Sequence, residues 1–246
     1  MYLYLHRGAR KDGERLVRSA LLDYASRKGL GVPGHNLLEL PIAKGEKGKP
    51  FFAGLQGPEG AGKPEVHYSV SHSGDFWGCL MAGEPVGFDM EVVRERVNYD
   101  KIAKRYFAEE ECKLVLSSGL EAFFDVWVRK EAYVKYLGTG LATGLDTFSV
   151  AEDGKLLSRV VLTEAAGRGG SSGMAPGIVK PCFIGDGIKA AYCCAGGDPI
   201  EAVISLDEGA GSRDSKDDGS MQFRSGRRLN GSGLGVGFNH GSAGAD

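Results

Sequence analysis

No stretch of the 246-residue sequence approaches the ~20 consecutive apolar residues needed to cross a bilayer, so a membrane-spanning helix is excluded. An excess of basic charge is equally absent. The 30 Lys and Arg against 32 Asp and Glu give a net charge of −2, which offers no bulk field for nucleic acid or an anionic membrane. Cysteine is scarce as well. The five thiols, Cys79, Cys112, Cys182, Cys193 and Cys194, are odd in number, include one adjacent pair and show no C-x-x-C spacing. Neither a disulfide framework nor a zinc site is therefore expected. Cys193 and Cys194 lie in the apolar run IKAAYCCA, where small thiols fit a buried strand, and a reducing cytoplasm suits them. The opening MYLYLHRGARKDGER lacks the charge, apolar core and cleavage-site order of a secretory signal, and reads as a short first strand.

What is present is an ordinary globular composition, 42% hydrophobic and 25% charged, in a chain long enough for one large core or two small ones. From Gly209 onward the sequence turns to Gly, Ser and mixed charge without periodicity. Residues 209–246, which include Arg227, Arg228 and His240, are expected to form a disordered tail, because they cannot bury enough apolar surface to offset their ordering entropy. Ala165–Gly177 reads as a shorter flexible insert.

The rest divides in two. GERLVRSALLDYASRKG has helical spacing and a Gly stop, and the strand-like runs VHYSVSHS, WGCLMAG and PVGFDMEVV follow it. Two more helical stretches come next, YDKIAKRYFAEEECKLVLSSG, which can break in two, and EAFFDVWVRKEAYVKYLG. They lead into TFSVAED, KLLSRVVLT, KPCFIG and IKAAYCCAG. Helix followed by antiparallel strands, twice over, predicts an α+β protein of two similar α/β subdomains, residues 1–105 and 106–208.

Three segments carry chemistry. In VGFDMEVV, apolar Val86, Phe88, Met90 and Val92 alternate with Gly87, Asp89 and Glu91, the pattern of a half-buried strand. The two carboxylates then share a face about 7 Å apart. A solvated strand edge would allow this, and so would a hard cation that takes carboxylate oxygens from rigid positions. In FFDVWVRKEAYVKYLGTGL, Trp127, Glu131 and Lys135 follow at i, i+4, i+8 along one helical face. A Glu–Lys pair at that spacing can be plain helix support. Heading the stripe with Trp127 argues for partial burial, where a charged pair needs a partner or a task. Glu131 would complete a three-carboxylate magnesium site with open positions for phosphate or water, and Lys135 would neutralise phosphate as a point cation. In SVSHSGDFWG, residues Ser71, His72, Ser73 and Gly74 offer hydroxyls, an imidazole and backbone N–H groups for a phosphate cradle. A Ser71–His72 nucleophile pair is rejected, because adjacent strand residues point to opposite faces.

These segments resemble a known family. VGFDME looks like the (V/I)-G-(I/V)-D-x-E signature, and WVRKEAYVK like the W-x-x-K-E-A/S-x-x-K signature, of Sfp-type 4′-phosphopantetheinyl transferases. SVSHSG is similar to the family's S-H-S segment and KGKPFF to its G-K-P segment, and all four stand in family order over roughly residues 1–205. The resemblance implies a pseudo-dimer of two α/β subdomains with coenzyme A in the cleft between them. It implies a holo-[acyl-carrier-protein] synthase that moves the phosphopantetheine arm of coenzyme A to a serine of an acyl or peptidyl carrier protein, releasing 3′,5′-ADP. It further implies Mg²⁺, with Mn²⁺ as a substitute, on Asp89, Glu91 and Glu131. Glu131 would also be the general base. Lys135 would lie on the pyrophosphate, His72 at the 3′-phosphate and Ser71 beside the phosphates, with Lys49 and Pro50 packed on the adenine. The family's basic N-terminal helix has no counterpart to align here. Arg15 matches the arginine that follows that helix, and Arg10 and Lys11 are further candidates for the 3′-phosphate. A cytoplasmic monomer with no nucleic-acid or membrane partner is expected. The rival readings are a Mg-dependent phosphohydrolase or nuclease and a non-catalytic carrier-protein binder.

Overall fold

The computed structural model describes residues 1–8, 13–31, 34–55, 65–140, 144–163 and 175–207. Arg10, Lys11, residues 165–174 of the insert and the 209–246 segment lie outside the described residues.

Two sheets form the frame. The first, in spatial order β11-β1-β5-β4, joins Ala202–Ser205, Tyr2–Arg7, Phe76–Ala82 and His67–Ser73. All its pairs are antiparallel except β1 with β11, which run parallel. The second, β6-β10-β9-β8-β7, joins Val86–Val92, Ile188–Cys194, Ile178–Pro181, Lys155–Leu162 and Phe148–Glu152. A small hairpin pairs β2 (Ile42–Lys44) with β3 (Pro50–Phe52). Helices α1 (Gly13–Lys28) and α2 (Gly34–Leu38) follow β1, and α3 (Tyr99–Tyr106), α4 (Glu109–Ser118) and α5 (Leu120–Leu137) separate β6 from β7.

Burial stacks these parts in layers. Val17, Ala20, Leu21 and Tyr24 of α1 pack on Tyr4, Tyr68 and Met81 of the first sheet. The opposite face of that sheet, through Leu3, Leu5 and Leu80, meets Phe88, Met90 and Tyr192 of the second. Beyond the second sheet lies α5, with Val128, Ala132 and Tyr133 on Val179, Ala191 and Cys193. The α+β class of two sheet-and-helix units is thus present. The expected division at residue 105 cuts across sheet membership, however. Strand β6 leaves the N-terminal half to join the second sheet, and β11 returns from the C-terminal end to pair with β1.

Local sequence explains the helix ends. The long helical stretch breaks at Phe107 and Ala108, both extended, and the Glu111 carboxylate accepts the Ala108 N–H at 2.9 Å to start α4. Gly138 ends α5 in the left-handed conformation at φ 68°, its N–H donating to the Val134 carbonyl, as its position predicts. Four short elements escaped the periodicity: α2, β2, β3 and β11. KPCFIG supplies only Lys180 and Pro181 to β9.

The expectation of a half-buried β6 also needs correcting. Val86, Phe88 and Met90 fill the core between the sheets, while α5 covers the other face, leaving Asp89 only 5% exposed. That cover is close. A Cβ at Gly87 would stand 1.9 Å from the Ala132 carbonyl oxygen and 2.4 Å from the Tyr136 nitrogen. Only glycine admits the helix backbone this near the strand.

Candidate active site

Where α5 crosses β6, the spacings seen in the sequence become one cluster. Asp89 and Glu91 point from β6 toward α5, on which Glu131 and Lys135 are one turn apart and partly buried. The Lys135 ammonium donates to Asp89 Oδ1 at 2.8 Å and to the Val70 carbonyl at 3.2 Å, fastening α5 to both β6 and β4. Burial and the charges of Asp89 and Glu91 push the Glu131 carboxyl up to about 7, against the opposing pull of Lys135. Glu91 is raised too, by burial first and then by Asp89, with the Ser73 hydrogen bond working the other way. Asp89 acts on both Glu91 and Glu131, so the three carboxylates occupy one electrostatic site.

A hard divalent cation fits these donors. All three offer oxygen, and Asp89 Oδ2 is a buried acceptor with no hydrogen-bond partner. Among the described residues, no group of three His, Cys, Asp or Glu side chains is placed to hold a metal ion by itself. Magnesium held by one or two carboxylates and completed by phosphate and water needs no such group.

Beside this cluster, β4 sends alternate side chains two ways. Ser69, Ser71 and Ser73 face β6, and their Oγ atoms accept the N–H groups of Phe88, Met90 and Val92 at 2.9, 3.2 and 3.0 Å. Ser71 donates to Asp89 Oδ1 at 2.7 Å and Ser73 to Glu91 Oε2 at 2.5 Å. His72 projects to the α1 side and is exposed, abreast of Trp77 on β5 and His6 on β1. The expected cradle is therefore divided. Its hydroxyls serve the carboxylates, and its imidazole stands on the other face.

The remaining expected residues lie around this centre. The Lys49 ammonium donates to the carbonyls of Val86 at 2.9 Å and Tyr136 at 3.2 Å, pinning the β2–β3 hairpin where β6 meets the end of α5. Burial pulls it down to about 8. Pro50 opens β3, half-buried, and Arg15 is exposed on the first turns of α1. Asp89, Glu91, Glu131, Lys135 and Ser71 are thus brought together, with Lys49 at one margin and His72 and Arg15 on the α1 side of the first sheet.

One pair was not anticipated. Lys130 and Glu111, both 0% exposed, meet at 2.6 Å. Lys130 also donates to the Phe148 carbonyl at 2.7 Å and lies 4.1 Å from that ring's centroid, and Glu111 accepts the Val150 N–H. Burial still pulls the Lys130 ammonium down to about 8. This pair ties α4, α5 and β7 directly behind Glu131. Its helical spacing does not distinguish Lys130 from a surface lysine; the signals were its apolar neighbours and its place as the first lysine of the W-x-x-K-E-A/S-x-x-K signature.

Comparison with known proteins places the chain in a family. Residues 85–170, which hold β6 and α5, match the model of the 4′-phosphopantetheinyl transferase superfamily. The 4′-phosphopantetheinyl transferase gsp of Aneurinibacillus migulanus is 31% identical over 140 residues, 55% of this chain and 51% of that protein. The 4′-phosphopantetheinyl transferase Sfp of Bacillus subtilis (strain 168) is 29% identical over 167 residues, 65% of this chain and 66% of that protein. The chain thus spans about half to two thirds of the length of these two relatives. A longer match, 30% over 200 residues, covers 79% of this chain and 77% of the 4′-phosphopantetheinyl transferase ffp of Bacillus subtilis. The chain belongs to the 4′-phosphopantetheinyl transferase superfamily.

Proposed function

We propose that this protein transfers the phosphopantetheine arm of coenzyme A to a serine hydroxyl of an acyl or peptidyl carrier protein. The observation that carries the reading is the Asp89–Glu91–Glu131 cluster, with a buried unpartnered oxygen on Asp89 and a lysine one helical turn from Glu131. In the reaction the serine oxygen forms a bond to the β-phosphorus of coenzyme A as the bond to the bridging oxygen breaks, and 3′,5′-ADP departs. Asp89, Glu91 and Glu131 would hold Mg²⁺, or Mn²⁺ in its place, which when bound neutralises the pyrophosphate charge. Glu131 accepts the serine proton. A carboxylate within hydrogen-bond reach of the serine takes its proton as attack develops. Lys135 turns its ammonium from Asp89 toward the pyrophosphate, His72 meets the 3′-phosphate with Arg15 on the same side of the sheet, Ser71 acts beside the phosphates through Asp89, and Lys49 and Pro50 pack on the adenine. Free thiols throughout the described fold suit a reducing cytoplasm, and both halves of the site come from one chain, as a monomer requires.

Incubation with coenzyme A, Mg²⁺ and an apo carrier protein, read by mass spectrometry, tests the reading. The expected product is a carrier heavier by one phosphopantetheine at its serine. Hydrolysis of coenzyme A without transfer would favour the phosphohydrolase, and carrier binding without either reaction the non-catalytic binder.

A further inference from the structure

The alternation of serines on β4 repeats one geometry three times. Each hydroxyl oxygen accepts an N–H from the facing residue of β6, which leaves its single proton to donate elsewhere. What stands beside it on β6 decides where that proton goes. Ser69 bonds Phe88, whose preceding residue, Gly87, has no side chain, and its hydroxyl donates to the Phe88 carbonyl at 3.5 Å. Ser71 finds Asp89, and Ser73 finds Glu91. Ser73 is 3% exposed, so its own hydroxyl proton is not spent on water.

A ligand carboxylate held by a hydroxyl keeps one oxygen occupied and the other directed, which is how outer residues tune metal sites. From this we propose, resting on the metal-dependent transferase reading above, that Ser73 is a positioning residue that orients Glu91 for metal binding. Ser73 sits on the first sheet and Glu91 on the second. The seam between the two sheets therefore sets the aim of this ligand.

The seam contains its own control, because Ser69 makes the same backbone bond without a carboxylate. Mn²⁺ affinity, read from the paramagnetic resonance of the free ion, is compared in the parent, Ser73→Ala and Ser69→Ala. Ser73→Ala is expected to weaken Mn²⁺ binding by about 10–100-fold, the range for lost outer partners. Ser69→Ala should change it less than about threefold, since no ligand loses its donor. Transfer by Ser73→Ala should need correspondingly more Mg²⁺, while kcat at saturating metal recovers most of the parent value. Should the alanine variant fail to fold, Ser73→Cys, close in size but a weak donor, carries the same comparison. Equal losses in the Ser73 and Ser69 variants, or no loss in either, would overturn the role of Ser73 while leaving the metal reading intact. A parent that binds no Mn²⁺ overturns both.

Discussion

Replacing Glu131 by glutamine should make the metal-free protein more stable at alkaline pH, even as it removes activity. The carboxyl titrates near 4.5 in the unfolded chain and near 7 in the fold. Between those values the folded state holds the extra proton, so this stability is fully present below pH 4.5 and is lost as pH rises through 7. At 1.36 kcal/mol per pH unit, the interval amounts to about 3 kcal/mol by pH 8. Glutamine carries no charge to desolvate, but an imperfectly paired buried amide costs about 1–3 kcal/mol of its own. A net gain of about 1–2 kcal/mol is expected in EDTA at pH 8, or roughly 3–6 °C in Tm for a chain of this size. At pH 5.5 the fold already protonates Glu131, and the gain should vanish. Magnesium should reverse the order at pH 8, since 100-fold excess over Kd stabilises the parent by about 2.7 kcal/mol and should help the variant far less. The measurement is thermal unfolding of both proteins at the two pH values, with chelator and with metal. A Glu131→Gln protein that melts below the parent by the same margin at both pH values would refute the reasoning.

Further expectations follow from the same contacts. Saturating Mg²⁺ should recover only a minor part of Glu131→Gln turnover, because a missing base costs about 10²–10⁴-fold that metal cannot replace; near-parent kcat would leave Glu131 a ligand only. Gly87→Ala should force α5 off β6, costing about 1–3 kcal/mol in urea unfolding, and a parent-like midpoint would mean that the helix yields freely. Lys130→Met leaves Glu111 charged and buried, for an expected loss of about 3–5 kcal/mol, and a loss under about 1 kcal/mol would contradict the pairing. His72→Ala should reduce the preference for coenzyme A over its 3′-dephospho form; unchanged discrimination would remove His72 from the 3′-phosphate.

The site was more legible than the frame that carries it. Periods of two and 3.6 placed Asp89 with Glu91 and Glu131 with Lys135, because strand and helix geometry fixes such spacings within one element. How the two elements meet lay partly in Gly87, whose missing Cβ is needed only once α5 is known to cross there. Strand β11 was illegible for a different reason. Its four residues carry little periodic signal, and its partner β1 is some 200 residues away in sequence. The serines were only partly legible, because a phosphate cradle and a row of carboxylate donors use the same hydroxyls. Strand alternation alone separates Ser71 and Ser73 from His72, and only the placement of β6 beside β4 shows what the hydroxyls meet.

That placement also explains how three acids can be held together before any cation arrives. Coulomb repulsion between Asp89, Glu91 and Glu131 opposes the fold, and burial enlarges it. Among the described residues, the Lys135 ammonium on Asp89, the hydroxyl donors of Ser71 and Ser73, the Arg94 charge near Glu91 and the raised proton affinity of Glu131 answer it. Two of these are displaceable in the proposed reaction: Lys135 would turn to phosphate, and Glu131 would lose its proton to solvent when a cation binds. Lys130 and Glu111 cannot exchange partners in this way, being closed to solvent and bonded on every side available to them. Adjacent in sequence, Lys130 and Glu131 thus differ in kind: the first fixes the helix, and the second keeps the freedom that the proposed proton transfer would require.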